Sequence, residues 1–284
     1  MNIAVCIKQV PDTTEIKIDP VKNTLIRKGV PSIMNPFDKH ALELALQLKD
    51  RYGAKVTALS MGPIQAKAVI REALSMGADK GYLITDRKFG GSDTYATSHI
   101  LSAAIKHLGS FDIILGGKQA IDGDTGQTAS SIAEHLNYPR VSQITEISVL
   151  DGLLQNEALG STSNNQSASI QAQLVEIKRL SDDGTEILQS TLPLVCTVVK
   201  EANKPRYPSI QSTLDSLEAE VPELTFEVLE AEIDPLKIGL KGSPTRVKAS
   251  FVPERTAEGV QIEGSPTQQA QELHTLLKDA KLVN

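Results

Sequence analysis

Tryptophan is absent from this 284-residue chain, and aromatic residues together make up only 4%. So few flat side chains argue against base stacking as a main binding mode. Basic residues are in the minority: 29 Lys and Arg stand against 35 Asp and Glu, a net charge of −6. That is the reverse of the electrostatic footprint of a nucleic-acid binder. No apolar run reaches the roughly 18 residues of a spanning helix. The opening MNIAVCIKQV is too short for a secretory signal and reads as a buried strand. Cys6 and Cys196 are too few for the four ligands of an iron–sulfur cluster or a structural zinc site. Both lie in apolar, strand-like runs, as expected of reduced thiols in a cytoplasmic protein.

Also missing are a P-loop and a G-x-G-x-x-G fingerprint after the first strand. No nucleophile stands beside a base, and His40, His99, His107, His135 and His274 lack metal-ligand spacing. Neither a catalytic side chain nor a metal site is expected. Any redox chemistry would belong to a bound cofactor.

What is present is an alternation of strand and helix signals over the first 150 residues. Short apolar runs at Ile3–Val10, Lys55–Met61, Gly81–Thr85, Ile113–Leu115 and Val141–Leu150 read as strands. Between them lie helical patterns. Asn35, as N-cap, and Pro36, at the first helical position, open one that Gly53 ends. Others run from Pro63 to Met76, from Thr94 to Leu108 and from Thr125 to Leu136. Strands separated by helices in this way predict an α/β fold: an open, mostly parallel sheet with helices on both faces. Such sheets bind ligands at the carboxyl ends of their strands, so the loops there matter most.

Two of those loops carry glycines into a helix. Gly116-Gly117-Lys118 begins a stretch through Gln119, Ala120, Ile121, Asp122, Gly123, Asp124, Thr125, Gly126, Gln127 and Thr128. Glycine lets the backbone approach a ligand, and the free N–H groups at a helix start favour a phosphate. Asp122 or Asp124 suits ribose hydroxyls, and Thr125, Gln127 and Thr128 offer neutral hydrogen bonds. Gly90-Gly91-Ser92-Asp93-Thr94, with Thr97 a turn on, has the same character. Together they suggest a dinucleotide. An ordinary Asp-Gly turn with a helix cap is the plainer reading of each.

Beyond residue 150 the pattern changes. Residues 159–173 are rich in Ser, Asn and Gln and read as an exposed loop or hairpin. Leu174–Arg179 and Thr185–Val199 flank an Asp182-Asp183-Gly184 turn, a hairpin signal. Residues 207–236 hold no Lys or Arg but eight carboxylates, and 237–284 carry +2, so the acidity sits in one segment. Prolines at 235, 244, 253 and 266 and little periodicity before Thr267–Lys278 suggest an extended C-terminal arm that needs a surface to lie on. The expected organisation is an α/β nucleotide-binding domain over 1–206, then an acidic segment and extended arm over 207–284.

At these residues the chain resembles the electron-transfer flavoprotein beta subunit. The resemblance rests on Ile7–Asp12, Met34-Asn35-Pro36-Phe37, Met61-Gly62-Pro63, Arg71–Asp79, Leu115–Asp122 with Asp124, Pro193, and Pro205-Arg206-Tyr207, in that order. It implies an adenine-nucleotide-hydrolase-like sheet and a heterodimer with an alpha subunit. The alpha subunit's FAD exchanges electrons with a dehydrogenase of acyl-CoA or hydroxy-acid type. The beta site holds AMP in simple members. In electron-bifurcating members it holds a second FAD beside which NAD(H) binds, and ferredoxin or flavodoxin takes one electron. Pro11-Asp12-Thr13, Gly91–Thr97 and Asp122–Thr125 are similar to the bifurcating branch. Carried over, Cys6, Asn35, Pro36, Phe37, Asp38 and Met61 line the adenine end. Residues from Ala120 to Thr128 hold phosphates and the ribityl chain, with Gln119 also in the cofactor site, while Asp93, Thr94 and Thr97 lie near the flavin or its hydride donor. Ile210 takes the place of the family's anchoring apolar residue for the dehydrogenase. Simple members follow it with lysines; here Asp215, Glu218 and Glu220 follow. The alternatives are an AMP-holding carrier, a Mg²⁺-dependent nucleotidyl transferase built on Asp122 and Asp124, and an interaction subunit without a nucleotide.

Overall fold

A computed structural model describes residues 1–12, 18–19, 24–25, 31–153, 173–248 and 259–283. The polar stretch expected at 159–173 lies outside the described residues except for Gln173, as does Thr13. The chain divides into two compact units, Met1–Lys17 with Leu25–Val247, and Ile18–Thr24 with Lys248–Asn284. Residues 207–247 thus belong to the first unit.

The strands in chain order are β1 (Asn2–Cys6), β2 (Gln9–Pro11), β3 (Ile18–Asp19), β4 (Thr24–Leu25), β5 (Ser32–Met34), β6 (Lys55–Met61), β7 (Lys80–Ile84), β8 (Ile113–Gly117), β9 (Arg140–Leu153), β10 (Gln173–Ser181), β11 (Gly184–Thr191), β12 (Leu194–Val198) and β13 (Glu223–Leu224). The helices are α1 (Pro36–Tyr52), α2 (Lys67–Met76), α3 (Thr94–Leu108), α4 (Thr128–Leu136), α5 (Ile210–Glu218), the short α6 (Gly239–Gly242) and α7 (Pro266–Asp279). Nine strands form one sheet in the order β11-β10-β9-β12-β8-β1-β6-β7-β13. The pairs from β9 through β12, β8, β1, β6 and β7 to β13 are parallel; β9–β10 and β10–β11 are antiparallel.

Side-chain alternation along the central strands divides the core. Ile3 and Val5 of β1, Ile113 and Leu115 of β8, and Leu42 and Leu46 of α1 share one apolar cluster, together with Ile70 of α2. Ala4, Leu59 and Ile114 face the other way, into a cluster with Ile100 and Ala104 of α3 and Ile132 of α4. The period of two in a strand causes this split, and full burial of each Leu or Ile is worth about 1.5–3 kcal/mol. Helices α1 and α2 therefore cover one face, and α3 and α4 the other.

The differences from the sequence-based expectation have local causes. The first strand stops at Cys6; Gln9–Pro11 turns away to pair antiparallel with Ser32–Met34. The apolar run at 185–199 is two strands, broken at Leu192-Pro193, because proline lacks the N–H a ladder needs. The hairpin around Asp182–Gly184 forms as expected, with Ser181 opposite Gly184. Part of the acidic segment is regular structure: α5 carries a Ser209–Ser212 capping box, and Glu223–Leu224 pairs with Leu83–Ile84 as a sheet edge. In the second unit, α7 begins with a capping box of Ser265 and Gln268.

Candidate functional site

The helix-covered faces switch between β1 and β8, since α1 follows β1 on one face and α3 precedes β8 on the other. At such a switch the loops leaving the strands diverge and open a crevice at their carboxyl ends. A cavity of about 400 Å³ lies there, lined by the ends of β1 (Cys6 to Lys8), β6 (Leu59 and Met61) and β8 (Ile114 to Gly117). The start of α3 and the segment from Lys118 into α4 complete it.

Of the residues singled out in the sequence, Cys6, Asn35, Asp38, Met61, Asp93, Thr94 and Thr97 line the cavity, as do Gln119, Ala120, Gly123, Asp124, Thr125, Gly126 and Thr128. Pro36, Phe37, Ile121, Asp122 and Gln127 do not. Ile210 is elsewhere, 84% exposed at the start of α5. The site reading missed Lys8 and the apolar floor of Leu59, Leu101, Ile114 and Ile132. For Lys8 and Leu59, positions near the carboxyl ends of strands were the available signal. Ile114 lies early in β8, and Leu101 and Ile132 lie within α3 and α4, so only tertiary packing brings those three to the cavity.

Several lining residues act on the protein itself. Asn35 is an example: its side chain makes no cap on α1. Instead Nδ2 donates to the Gln119 carbonyl at 2.8 Å, and Oδ1 accepts the Ile121 N–H at 3.2 Å. One amide thus pins both ends of the 119–121 turn, which corrects the expectation that helix capping accounts for Asn35. Asp38 bridges two strand ends, accepting the backbone N–H of Lys8 at 2.8 Å and of Gly117 at 2.9 Å. Burial raises its pKa to about 7, opposed by those N–H groups. Gly117 owes its lack of a side chain to this contact. A Cβ there would stand 2.5 Å from Asp38 Oδ1 and 2.6 Å from Phe37 Cβ, so its absence admits α1.

The following loop is folded on itself. Gly123 and Asp124 N–H groups donate to the Ala120 carbonyl. Asp124, at φ 47°, accepts from Gln119 Nε2 at 2.9 Å, and Gly126 follows at φ 62°. Asp122 is paired with Lys8 at 2.6 Å. The two carboxylates of the Asp-Gly-Asp triplet are therefore held by different partners. Among the described residues, no group of three His, Cys, Asp and Glu side chains is placed to hold a metal.

These turns delay α4, which begins at Thr128 rather than Thr125 and has no side-chain cap from Gln127. No side chain caps its first N–H groups, and Thr128 and Ala129 of that first turn line the cavity wall. The start of α3 is different. Asp93 caps it, with Oδ1 accepting the Ala96 N–H at 3.0 Å. The two glycine-bearing loops, alike in sequence, thus have different electrostatics: α3 carries its own carboxylate and α4 leaves room for an external anion.

Neither thiol is primed for chemistry. Cys6 is pushed up to about 12, chiefly by burial and then by Asp38, and burial raises Cys196 as well. His99 and His135 stack edge to face at 5.3 Å between α3 and α4, and His99 Nε2 accepts the Asp234 N–H at 3.0 Å. No helix among the described residues is long and apolar enough to cross a membrane.

Comparison with known proteins agrees with this geometry. The family model of the electron transfer flavoprotein domain matches residues 22–229. The electron transfer flavoprotein subunit beta of Clostridium acetobutylicum is 48% identical over 263 residues, which cover 93% of this chain and 92% of the relative. Subunit CarD of the caffeyl-CoA reductase-Etf complex of Acetobacterium woodii is 41% identical across the full length of both chains. Protein FixA of Sinorhizobium fredii is 40% identical over 93% of this chain and 87% of its own. The chain belongs to the electron transfer flavoprotein family, as a beta subunit.

Proposed function

We propose that the cavity between β1 and β8 holds FAD and that the chain is the beta subunit of an electron-bifurcating complex. The observation that carries this reading is the uncapped start of α4 facing a largely apolar cavity at the sheet's switch point. The donor set fits a pyrophosphate: open backbone N–H groups, the Thr125 and Thr128 hydroxyls and the Lys118 side chain. The apolar floor suits a flat ring system, and Thr94 and Thr97 offer hydroxyls on the opposite wall.

The chain's own residues bind and orient. Asn35 and Asp38 hold the 117–121 segment in place before any ligand arrives, so little ordering has to accompany binding. Asp122 is neutralised by Lys8, which reduces its repulsion of a phosphate. FAD held there by Thr125, Thr128 and Lys118 would supply the redox chemistry: hydride acceptance from NADH and single-electron transfer toward the alpha subunit's FAD and a dehydrogenase, and toward ferredoxin or flavodoxin. Exposed Tyr207 and Ile210, followed by a run of carboxylates, form the docking surface for that dehydrogenase, which presents a basic patch.

The test is the nucleotide released on denaturing the co-expressed alpha–beta complex, counted per heterodimer. Two FAD and no AMP is the expected result. One FAD with one AMP would overturn bifurcation and leave an electron shuttle. Neither nucleotide in the beta subunit would leave an interaction subunit.

A further inference from the structure

Residues 239–245 cross the sequence-distant Gly90–Asp93 loop as a strap. The Gly239 N–H donates to Ser92 Oγ at 3.0 Å, and the Leu240 N–H to the Gly90 carbonyl at 3.2 Å. The Asp93 N–H donates to the buried Ser243 hydroxyl at 2.8 Å, which in turn donates to the Gly239 carbonyl at 2.7 Å. Thr245 closes the strap: its N–H and its hydroxyl donate to Asp93 Oδ2 at 2.9 and 2.7 Å. The fit is close on both sides. A Cβ on Gly91, at φ 75°, would stand 3.1 Å from Leu240 Cβ, and one on Gly239 would run into the Lys88 carbonyl.

Asp93 sits between two structures. One carboxylate oxygen caps α3 through Ala96; the other holds Thr245. Ser92, Asp93, Thr94 and Thr97 line the cavity, whereas no residue of the strap does. We propose that Asp93 is a positioning residue, not a ligand of the flavin or its hydride donor. Through it the seated strap holds the Ser92–Thr97 wall in its nucleotide-retaining arrangement, and strap release is the event that frees the nucleotide. This rests on the cavity being the nucleotide site. Linkage requires the reverse effect: a bound nucleotide must hold the strap down.

The experiment uses the alpha–beta complex as purified, with Thr245→Val, Ser243→Ala and Thr245→Ser variants. Nucleotide release is timed by quantifying what leaves the protein, and hydrogen exchange is followed at Gly239, Leu240 and Thr245 with and without added FAD or AMP. Thr245→Val and Ser243→Ala should each release nucleotide at least about fivefold faster, and Thr245→Ser should restore the wild-type rate. Added nucleotide should slow exchange in the strap, an effect that a merely structural role for Thr245 would not produce. Wild type that carries nucleotide and releases it at the same rate as both variants would overturn the coupling alone. Wild type with no nucleotide in the beta subunit would overturn the site reading, and the coupling with it.

Discussion

Gly117 and Asp38 show how tightly single residues are constrained where α1 meets the sheet. Gly117→Ala would drive a methyl group into Asp38 Oδ1 and Phe37 Cβ. We expect it to cost about 1–3 kcal/mol of stability, read as a lower denaturation midpoint in urea, with weaker nucleotide retention in the complex. Asp38 predicts a pH effect. Its carboxyl titrates near 3.8 when unfolded and near 7 in the fold, so the native state keeps a proton that the unfolded chain loses. Its contribution to stability is complete below about pH 3.8 and is lost as pH rises through 7. Asp38→Asn should flatten that part of the stability–pH curve, and at low pH it should lower stability, because the amide sets an N–H against a backbone N–H. An unchanged curve in urea titrations across this range would contradict the assignment.

At the scale of elements, the packing of α3 against α4 places His99 over the segment that follows β13. The His99 Nε2 that accepts the Asp234 N–H must be unprotonated. Burial holds its pKa below the usual 6.5, helped by His135, Lys237 and Lys106 and opposed by Asp234. The sign is opposite to that of Asp38. This contact is intact above about pH 6.5 and is lost as the pH falls through the depressed native value. Amide exchange at Asp234 should therefore accelerate, beyond the intrinsic pH dependence, on acidification below about 6.5, and His99→Phe should abolish that extra component. Start signals at this scale were legible where a side chain acts locally. Gly53 ends α1 as the sequence predicts, and the cap of α3, which the sequence left between Ser92 and Asp93, is Asp93. Asn35 was misread because its partners, Gln119 and Ile121, are more than 80 residues away and nothing local distinguishes a cap from a long-range clamp.

For the whole molecule, the decisive feature is the separation of charge and of surfaces. The segment after Pro205 is anchored from within. Arg206 makes a two-pronged pair with buried Glu43, at 2.9 and 3.1 Å, and reaches Asp50 at 2.8 Å. Past that anchor Tyr207, Ile210, Leu214 and Leu217 are exposed on and before α5, together with its carboxylates. If the dehydrogenase docks here through a basic patch, its affinity should fall as salt rises from about 50 to 200 mM. Glu218→Lys should weaken it further, by about 0.5–1 kcal/mol. Affinity indifferent to both, measured by titration calorimetry, would place docking elsewhere. The matches to relatives over nearly the whole chain put this surface and the cavity in one inherited frame.

Hydrophobic spacing, glycines and caps by themselves determined the α/β class, most element positions and the two loops worth attention, because those signals act within a few residues. Ordered motifs such as Met34–Phe37 and Leu115–Asp122 also determined the family. Only the tertiary structure decided which of the two loops caps its own helix and which leaves it uncapped. Asp93 is committed to α3 and to Thr245, some 150 residues on, whereas Asn35 and Asp38 shape the other loop from across the sheet and leave α4 uncapped. Those choices depend on strand order and on hydrogen bonds between distant segments, which local sequence does not encode.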